Sequence, residues 1–244
     1  MLFNLKMEKE GYKQEFYRKN TSALMNILNI VFQIIVILIA LAPILVILRF
    51  SFNYNIFIFA ISLVVSVYLF FIYLVILIGF VRIILIRQQP EGDYSIENNI
   101  FIKTLIIYYL RNIIENSFLR FILYSSPMFW VFYYKMLGMK ISGFFMMGQD
   151  AIILEPWDVE VGRNTLFGAG SITSPHSVEG KKFLIRKVKI NDNVTIGARS
   201  IVGPGVKIGT GSIIGAMSGV GKGMKIPANE LWAGIPAKRI KKLR

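Results

Sequence analysis

The stretch from Ile190 to Leu231 reads INDNVT, IGARSI, VGPGVK, IGTGSI, IGAMSG, VGKGMK, IPANEL when it is cut into sixes. The first residue of every hexad is Ile or Val, the second is glycine in five of the seven, and the fifth is small or apolar in most. A period of six suits no helix, whose apolar positions recur three and four residues apart. It suits a short strand with an inward β-branched residue, followed by a corner that needs a glycine-like turn. Three such hexads close a triangular coil, and coils stack through parallel ladder bonds at about 4.8 Å. The expected fold of this part is an all-β, left-handed parallel β-helix, a prism.

Looser hexads precede this stretch. ISGFFM and MGQDAI run from Ile141, VGRNTL and FGAGSI from Val161, and ILEPWDVE lies between them out of phase. The total predicts four to five coils. Ser174 to Lys187 breaks the repeat and must loop out, and insertions in solenoids fall on one face, often where ligands are met. The glycines of GKGMK and GPGVKIG lack the spacing and the following helix of a phosphate loop or a dinucleotide fold, and are read as prism corners.

Toward the N-terminus the composition changes. The chain has 244 residues, 55% of them hydrophobic, and nearly all the large apolar runs lie in 21–86 and 100–137. Residues 27–48 contain only Asn29 and Gln33 as polar positions, and 56–81 carry no charge. At about 1.5 Å per residue each is long enough to cross the hydrocarbon, so a transmembrane helical hairpin joined by RFSFNYN is expected. Lys6, Lys9, Lys13, Arg18 and Lys19 precede the first run, Arg82 and Arg87 follow the second, and only Arg49 lies between. This asymmetry predicts a multi-pass protein of the cell membrane with both termini and the prism on the cytoplasmic side.

Residues 96–124 place Asn99, Lys103, Arg111, Glu115 and Arg120 at near-helical spacing among apolar residues, as in a helix lying in the membrane surface. Ser126 and Pro127 open a short aromatic helix. Its Trp130, Tyr133 and Tyr134 are expected in the headgroup layer, with a buried helical pair as the alternative. Four segments follow: a basic N-terminus at 1–20, a two-helix hairpin at 21–87, interfacial helices at 88–137 and the β-helix at 138–244.

The chain has no cysteine and one histidine, His176. A thiolate or multi-histidine metal centre has no ligands here, and no metal is expected. The net charge of +14 comes from clusters at 6–19, 181–189 and 238–244 that lack the aromatic interleaving of a nucleic-acid stacking surface. No nucleic-acid partner is expected.

Val161–Gly162, His176, IGARSIVGPGVKIG, GAMSGV and the closing IPANELWAGIPAKRI resemble the hexapeptide-repeat acyltransferases, which include acetyl-coenzyme A dependent sugar O-acetyltransferases. The phrase GKGMKIPANELWAGIPAKRI, with His176 followed by Glu179, is particularly similar to the membrane-attached terminal domains of poly-lysine synthetases and related nonribosomal-peptide-synthetase-like proteins. The sequence has GAMS at 215–218 where many members have GAGS.

The resemblance implies a homotrimer with active sites in clefts between prisms, an acetyl-coenzyme A or other acyl thioester donor, and a histidine that takes a proton from the acceptor. His176 suits that task, because an imidazole with a pKa near 6.5 can accept a proton from an attacking hydroxyl or amine. Glu179 is the candidate to fix its tautomer. Backbone N–H groups at Gly197, Ala198, Gly215 and Ala216 are candidates for the thioester oxyanion. Lys238 and Arg239 could bind coenzyme A phosphates, or the basic tail could be drawn to anionic lipid. Trp157 and Asp158 match the family's acidic position for acceptor contacts. The acceptor expected of an enzyme on the membrane surface is a hydroxyl or amine of a lipid-linked or envelope-bound glycan precursor. A non-catalytic trimeric scaffold, and acyl or aminoacyl transfer from a carrier-protein thioester, stand as alternatives.

Overall fold

The computed structural model describes residues 2–87 and 89–243, with side chains from residue 27 onward. The basic side chains expected before the first span therefore lie outside the described residues. The chain divides into two compact units, 1–66 and 67–244.

The first unit holds α1 (Leu2–Phe52) and the beginning of α2 (Ile56–Leu85). A tight turn joins them. Asn55 caps the second helix by accepting from the Ile58 N–H at 2.9 Å, and Ser51 and Ser62 share a 2.7 Å hydroxyl contact across the turn. Ile27–Phe52 and Ile56–Leu85 are long and apolar enough to cross a membrane by length and composition. Leu38, Leu45 and Ile61 point outward, which is the arrangement of a helix whose surroundings are apolar.

The second unit contains the prism. Its first face stacks Lys140–Ile141, Val159–Val161, Val188–Ile190, Lys207–Ile208 and Lys225–Ile226 in parallel register. The second face stacks Phe145–Met147, Thr165–Phe167, Thr195–Ile196, Ile213–Ile214 and Glu230–Ala233. The third stacks Ile152–Ile153, Ile172–Thr173, Ile201–Val202 and Gly219–Val220. Five levels result, and Lys238–Lys242 turns back antiparallel on the last strand of the second face.

The first residue of each hexad fills the interior. From Ile190 to Ile226 none of these side chains is more than 3% exposed. Buried hydroxyls tie one level to the next: Ser200 Oγ donates to the Gly215 carbonyl at 2.8 Å and accepts from the Ser218 N–H, 18 residues on.

The second-position glycines serve a purpose other than the turn expected of them. The left-handed residue of most hexads is the fourth: Asn164 (φ 54°), Asn193 (56°), Arg199 (54°), Gly211 (71°) and Met217 (55°) among others. At several second positions glycine is needed because the next coil's backbone passes too close for a side chain. A Cβ at Gly209 would sit 2.4 Å from the Ala228 nitrogen, and one at Gly197 2.4 Å from the Ala216 nitrogen.

The helices before the prism depart from the interfacial expectation. The single helix expected at 96–124 is two, α3 (Asn99–Glu115) and α4 (Leu119–Ser125), broken around Ser117. The short helix α5 (Pro127–Met136) starts as expected, with Ser126 as its cap. However, Trp130, Tyr133 and Tyr134 are buried, not at a headgroup layer. Trp130 Nε1 donates to the Phe145 carbonyl of the first coil.

Arg111 and Glu115 likewise leave the surface. Arg111, 2% exposed, donates to Glu115 at 2.6 Å and to the Ile153 carbonyl at 2.8 Å, and Tyr133 donates to the same Glu115 oxygen at 2.8 Å. A buried charge of this kind persists only when paired and fully hydrogen-bonded. The requirement ties α3 and α5 to the backbone of the third face. The segment between α2 and α3, expected to be helical, contributes a strand, Gly92–Ser95, that pairs antiparallel with Lys182–Ile185 of the insertion.

Candidate active site

The prism is irregular at one corner, between the third and first faces, and the titratable groups gather there. Two interruptions meet at this corner. After Ile153 the out-of-phase stretch puts Glu155 in the left-handed region (φ 36°, ψ 66°) and makes a single 3-10 turn, Pro156–Asp158. A non-glycine residue there is held at a cost of about 1–2 kcal/mol. One coil later the chain leaves the repeat at Ser174 and forms a hairpin of His176–Glu179 and Lys182–Ile185. The Gly92–Ser95 strand completes a three-stranded antiparallel sheet.

His176 Nδ1 lies 2.6 Å from Glu155 Oε2. The carboxylate can only accept, so Nδ1 carries the proton and Nε2 keeps its lone pair. No hydrogen bond to Nε2 is present among the described residues. Burial by itself would lower the imidazole pKa, but the hydrogen bond and charge of Glu155 outweigh it and leave His176 above its ordinary value. The ring packs 5.2 Å from Phe183. With Glu155 it borders a cavity of about 330 Å³ lined chiefly by Phe101, Leu105 and Tyr108 of α3, Leu154 and Phe183.

Glu179, expected to orient His176, does not reach it. Three residues along a strand point to opposite faces of the sheet, and Glu179 pairs instead with Lys222 at 2.6 Å. The orienting carboxylate is Glu155, which sequence reasoning passed over. Its signal was the loss of repeat phase in ILEPWDVE, because a residue displaced from the hexad frame is free to face the neighbouring coil.

The oxyanion candidates stand at another corner, between the second and third faces. The N–H groups of Gly197 and Gly215 are consumed by ladder bonds to Ile214 and Trp232 carbonyls, both at 2.8 Å. Those of Ala198 and Ala216 have no backbone partner among the described residues, and both residues are exposed. Within one chain a whole face separates this corner from His176.

Lys238 and Arg239 lie on the last, exposed strand. Arg239 is already engaged with Glu230 at 2.9 Å. Trp157 and Asp158 are buried beside the kink and line a different cavity from that of His176. Burial, with the Glu155 charge adding to it, pushes the Asp158 carboxyl up to about 7.

The repeat, the five-level prism and the interrupted corner define a hexapeptide-repeat β-solenoid. Residues 187–222 match the family described as bacterial transferase hexapeptide (six repeats). Among solved structures, the chain is similar to a hexapeptide-repeat-containing acetyltransferase from Vibrio cholerae, at 17% identity, over 52% of this chain and 87% of that one, with a TM-score of 0.42. It is also similar to a maltose O-acetyltransferase from Clostridium difficile (21%, 63% and 94%, TM-score 0.40). A third is a galactoside acetyltransferase in complex with coenzyme A (18%, 64% and 92%, TM-score 0.41). Comparison with curated proteins gives no significant match. The narrower likeness to poly-lysine synthetase domains, carried by 221–240 with His176 and Glu179, is not matched by these comparisons.

Proposed function

We propose that this protein is a membrane-anchored acyltransferase in which His176 is the general base. The observation that carries this reading is the 2.6 Å contact of His176 Nδ1 with the buried Glu155 carboxylate. It fixes the tautomer that leaves Nε2 as a proton acceptor. As a hydroxyl or amine attacks a thioester carbonyl, Nε2 takes its proton and Glu155 stabilises the imidazolium that forms. The tetrahedral intermediate then collapses with cleavage of the C–S bond, and the imidazolium returns the proton to the leaving coenzyme A sulfur. The donor is an acyl-coenzyme A, most simply acetyl-coenzyme A, on the resemblance of the repeat and its closing GIPAKRI.

The separation of the two corners supports a trimer. His176 on one prism meets the Ala198 and Ala216 N–H groups only if they belong to a neighbouring copy, so a complete site needs an intersubunit cleft. In this reading the apolar windows of α1 and α2 anchor the trimer, and the cation asymmetry of the sequence favours a cytoplasmic prism. The acceptor is a hydroxyl or amine carried by a membrane-associated molecule.

The test is acetyl-coenzyme A turnover by detergent-solubilised protein presented with membrane extract, read as free coenzyme A. His176→Ala is expected to lose 10²- to 10⁴-fold in rate while remaining a trimer by light scattering. Undiminished turnover in that variant, or a wild-type monomer, would overturn the reading.

A further inference from the structure

Beside the kink, a second cavity of about 560 Å³, which shares no lining residue with that of His176, opens where α2 ends. Arg82, Arg87, Lys140 and Lys187 supply positive charge to its lining, with Asp158 as the one acidic residue there. Lys140 is paired with Glu160 at 2.7 Å. Arg82, Arg87 and Lys187 form no ion pair among the described residues.

Three buried polar atoms here have no partner among the described residues: Arg82 Nε, Gln89 Nε2 and Asp158 Oδ2. Gln89 is 7% exposed. Its carbonyl oxygen is occupied by the Trp157 indole N–H at 2.8 Å, which leaves both amide hydrogens available. An orphaned buried donor or acceptor costs about 1–3 kcal/mol, and three such atoms on residues lining one cavity are a reason to look for a ligand.

The backbone is shaped around the guanidinium. Gly138 has φ +89°, a conformation that side chains rarely adopt, and a Cβ there would stand 2.5 Å from Arg82 Cζ. On its other side the guanidinium lies 5.8 Å from the Trp157 ring centroid. Arg82 is thus packed against Trp157 and Gly138 and forms no salt bridge among the described residues.

We infer that this cavity binds a phosphate group. The Arg82 guanidinium and the Gln89 side chain supply its hydrogen-bond donors, and Arg87 and Lys187 neutralise its charge. Guanidinium and amide donors lining one cavity suit a tetrahedral oxyanion. Asp158, pushed up to about 7, is protonated through part of the neutral range and then donates as well. The position at the end of an apolar span suits the headgroup of an anionic lipid or a lipid-linked phosphate. A soluble phosphate ester offers the same chemistry. The inference stands on these residues alone and not on acyl transfer, since binding is read without turnover.

The experiment uses the full chain, in zwitterionic detergent with inorganic phosphate as titrant, and in nanodiscs of phosphatidylglycerol against phosphatidylcholine with bound lipid counted by native mass spectrometry. Arg82→Gln and Lys187→Gln are compared with Lys225→Gln, which removes an equal charge from an exposed strand outside the cavity. About tenfold weaker binding or more is expected in the first two and no change in the third. Retention of phosphatidylglycerol with no response to inorganic phosphate identifies a lipid source, and the converse a soluble ester. If neither ligand binds in an Arg82- or Lys187-dependent way, or if Lys225→Gln weakens binding equally, the site does not exist. Should Arg82→Gln fail to fold, Lys187→Gln, whose side chain is exposed, carries the comparison.

Discussion

The coils from Val188 to Val220 and those from Lys140 to Thr173 are built on the same triangle but do different work. In the later coils Ile190 and Ile208 stack in unbroken register, continued by Ile226 of the next level, and every corner is a short turn. In the earlier coils the same corner is opened twice, by the kink around Glu155 and by the hairpin that begins at His176. The regular coils bury β-branched residues and satisfy their backbone through the ladder. The interrupted ones hold a left-handed glutamate, a buried aspartate and a histidine. A solenoid can separate the two tasks because each level touches only its neighbours. Strain at one corner is then held by well-packed levels above and below.

This division can be broken first at its chemical end. Glu155→Gln is expected to lower turnover by about 10²- to 10⁴-fold, because an amide can hold the ring but stabilises neither the right tautomer nor the imidazolium. Its pH profile should shift as well. In the wild type the rate rises with pH through the raised His176 pKa, above the ordinary value of about 6.5. With the carboxylate gone and the burial unchanged, that limb should move to lower pH. The linkage to stability has the opposite sense. The contribution of the His176–Glu155 pair is full below the unfolded pKa and is lost as pH rises through the raised folded value. Urea midpoints measured across this range in wild type and variant would show the two trends crossing.

At the structural end, Ile208→Ala should destabilise the prism by about 2–5 kcal/mol, since Ile208 is 1% exposed in the middle of the stack. Turnover per folded molecule should hold, because His176 lies at a different corner. A loss of turnover matching that of Glu155→Gln would mean that the two regions are not separable. Gly209→Ala sharpens the reading of the hexad's second position. Its Cβ would meet backbone at 2.4 Å, so a cost of about 1–3 kcal/mol is expected in chemical denaturation. The smallest effect is expected at Met217, whose φ of 55° is one that glycine adopts freely. Met217→Gly should leave stability unchanged or raise it by up to about 1 kcal/mol. A clear loss would show that the Met217 side chain packs against a neighbouring copy.

The hexads from Ile190 to Leu231 determined the prism, because a β-branched residue every six positions can satisfy both burial and backbone pairing in a coil of three short strands. The apolar runs determined the two long helices in the same way, by length and composition alone. His176 was legible too, as the sole histidine at the edge of the repeat. What only the tertiary structure decided is which groups meet. Glu155 and Glu179 are both glutamates near an interruption, and nothing local distinguishes them until the left-handed turn at Glu155 faces the hairpin and strand alternation turns Glu179 away. The aromatic helix and Arg111 were misplaced for a related reason. Their amphipathic pattern records that one face is apolar, and it is identical whether that face meets lipid or the base of a prism. The partner that settles the matter, the Ile153 carbonyl, is 42 residues away in the chain. Such pairings are fixed by the closure of the fold, when a buried charge must find its hydrogen bonds, and no local pattern of residues encodes them.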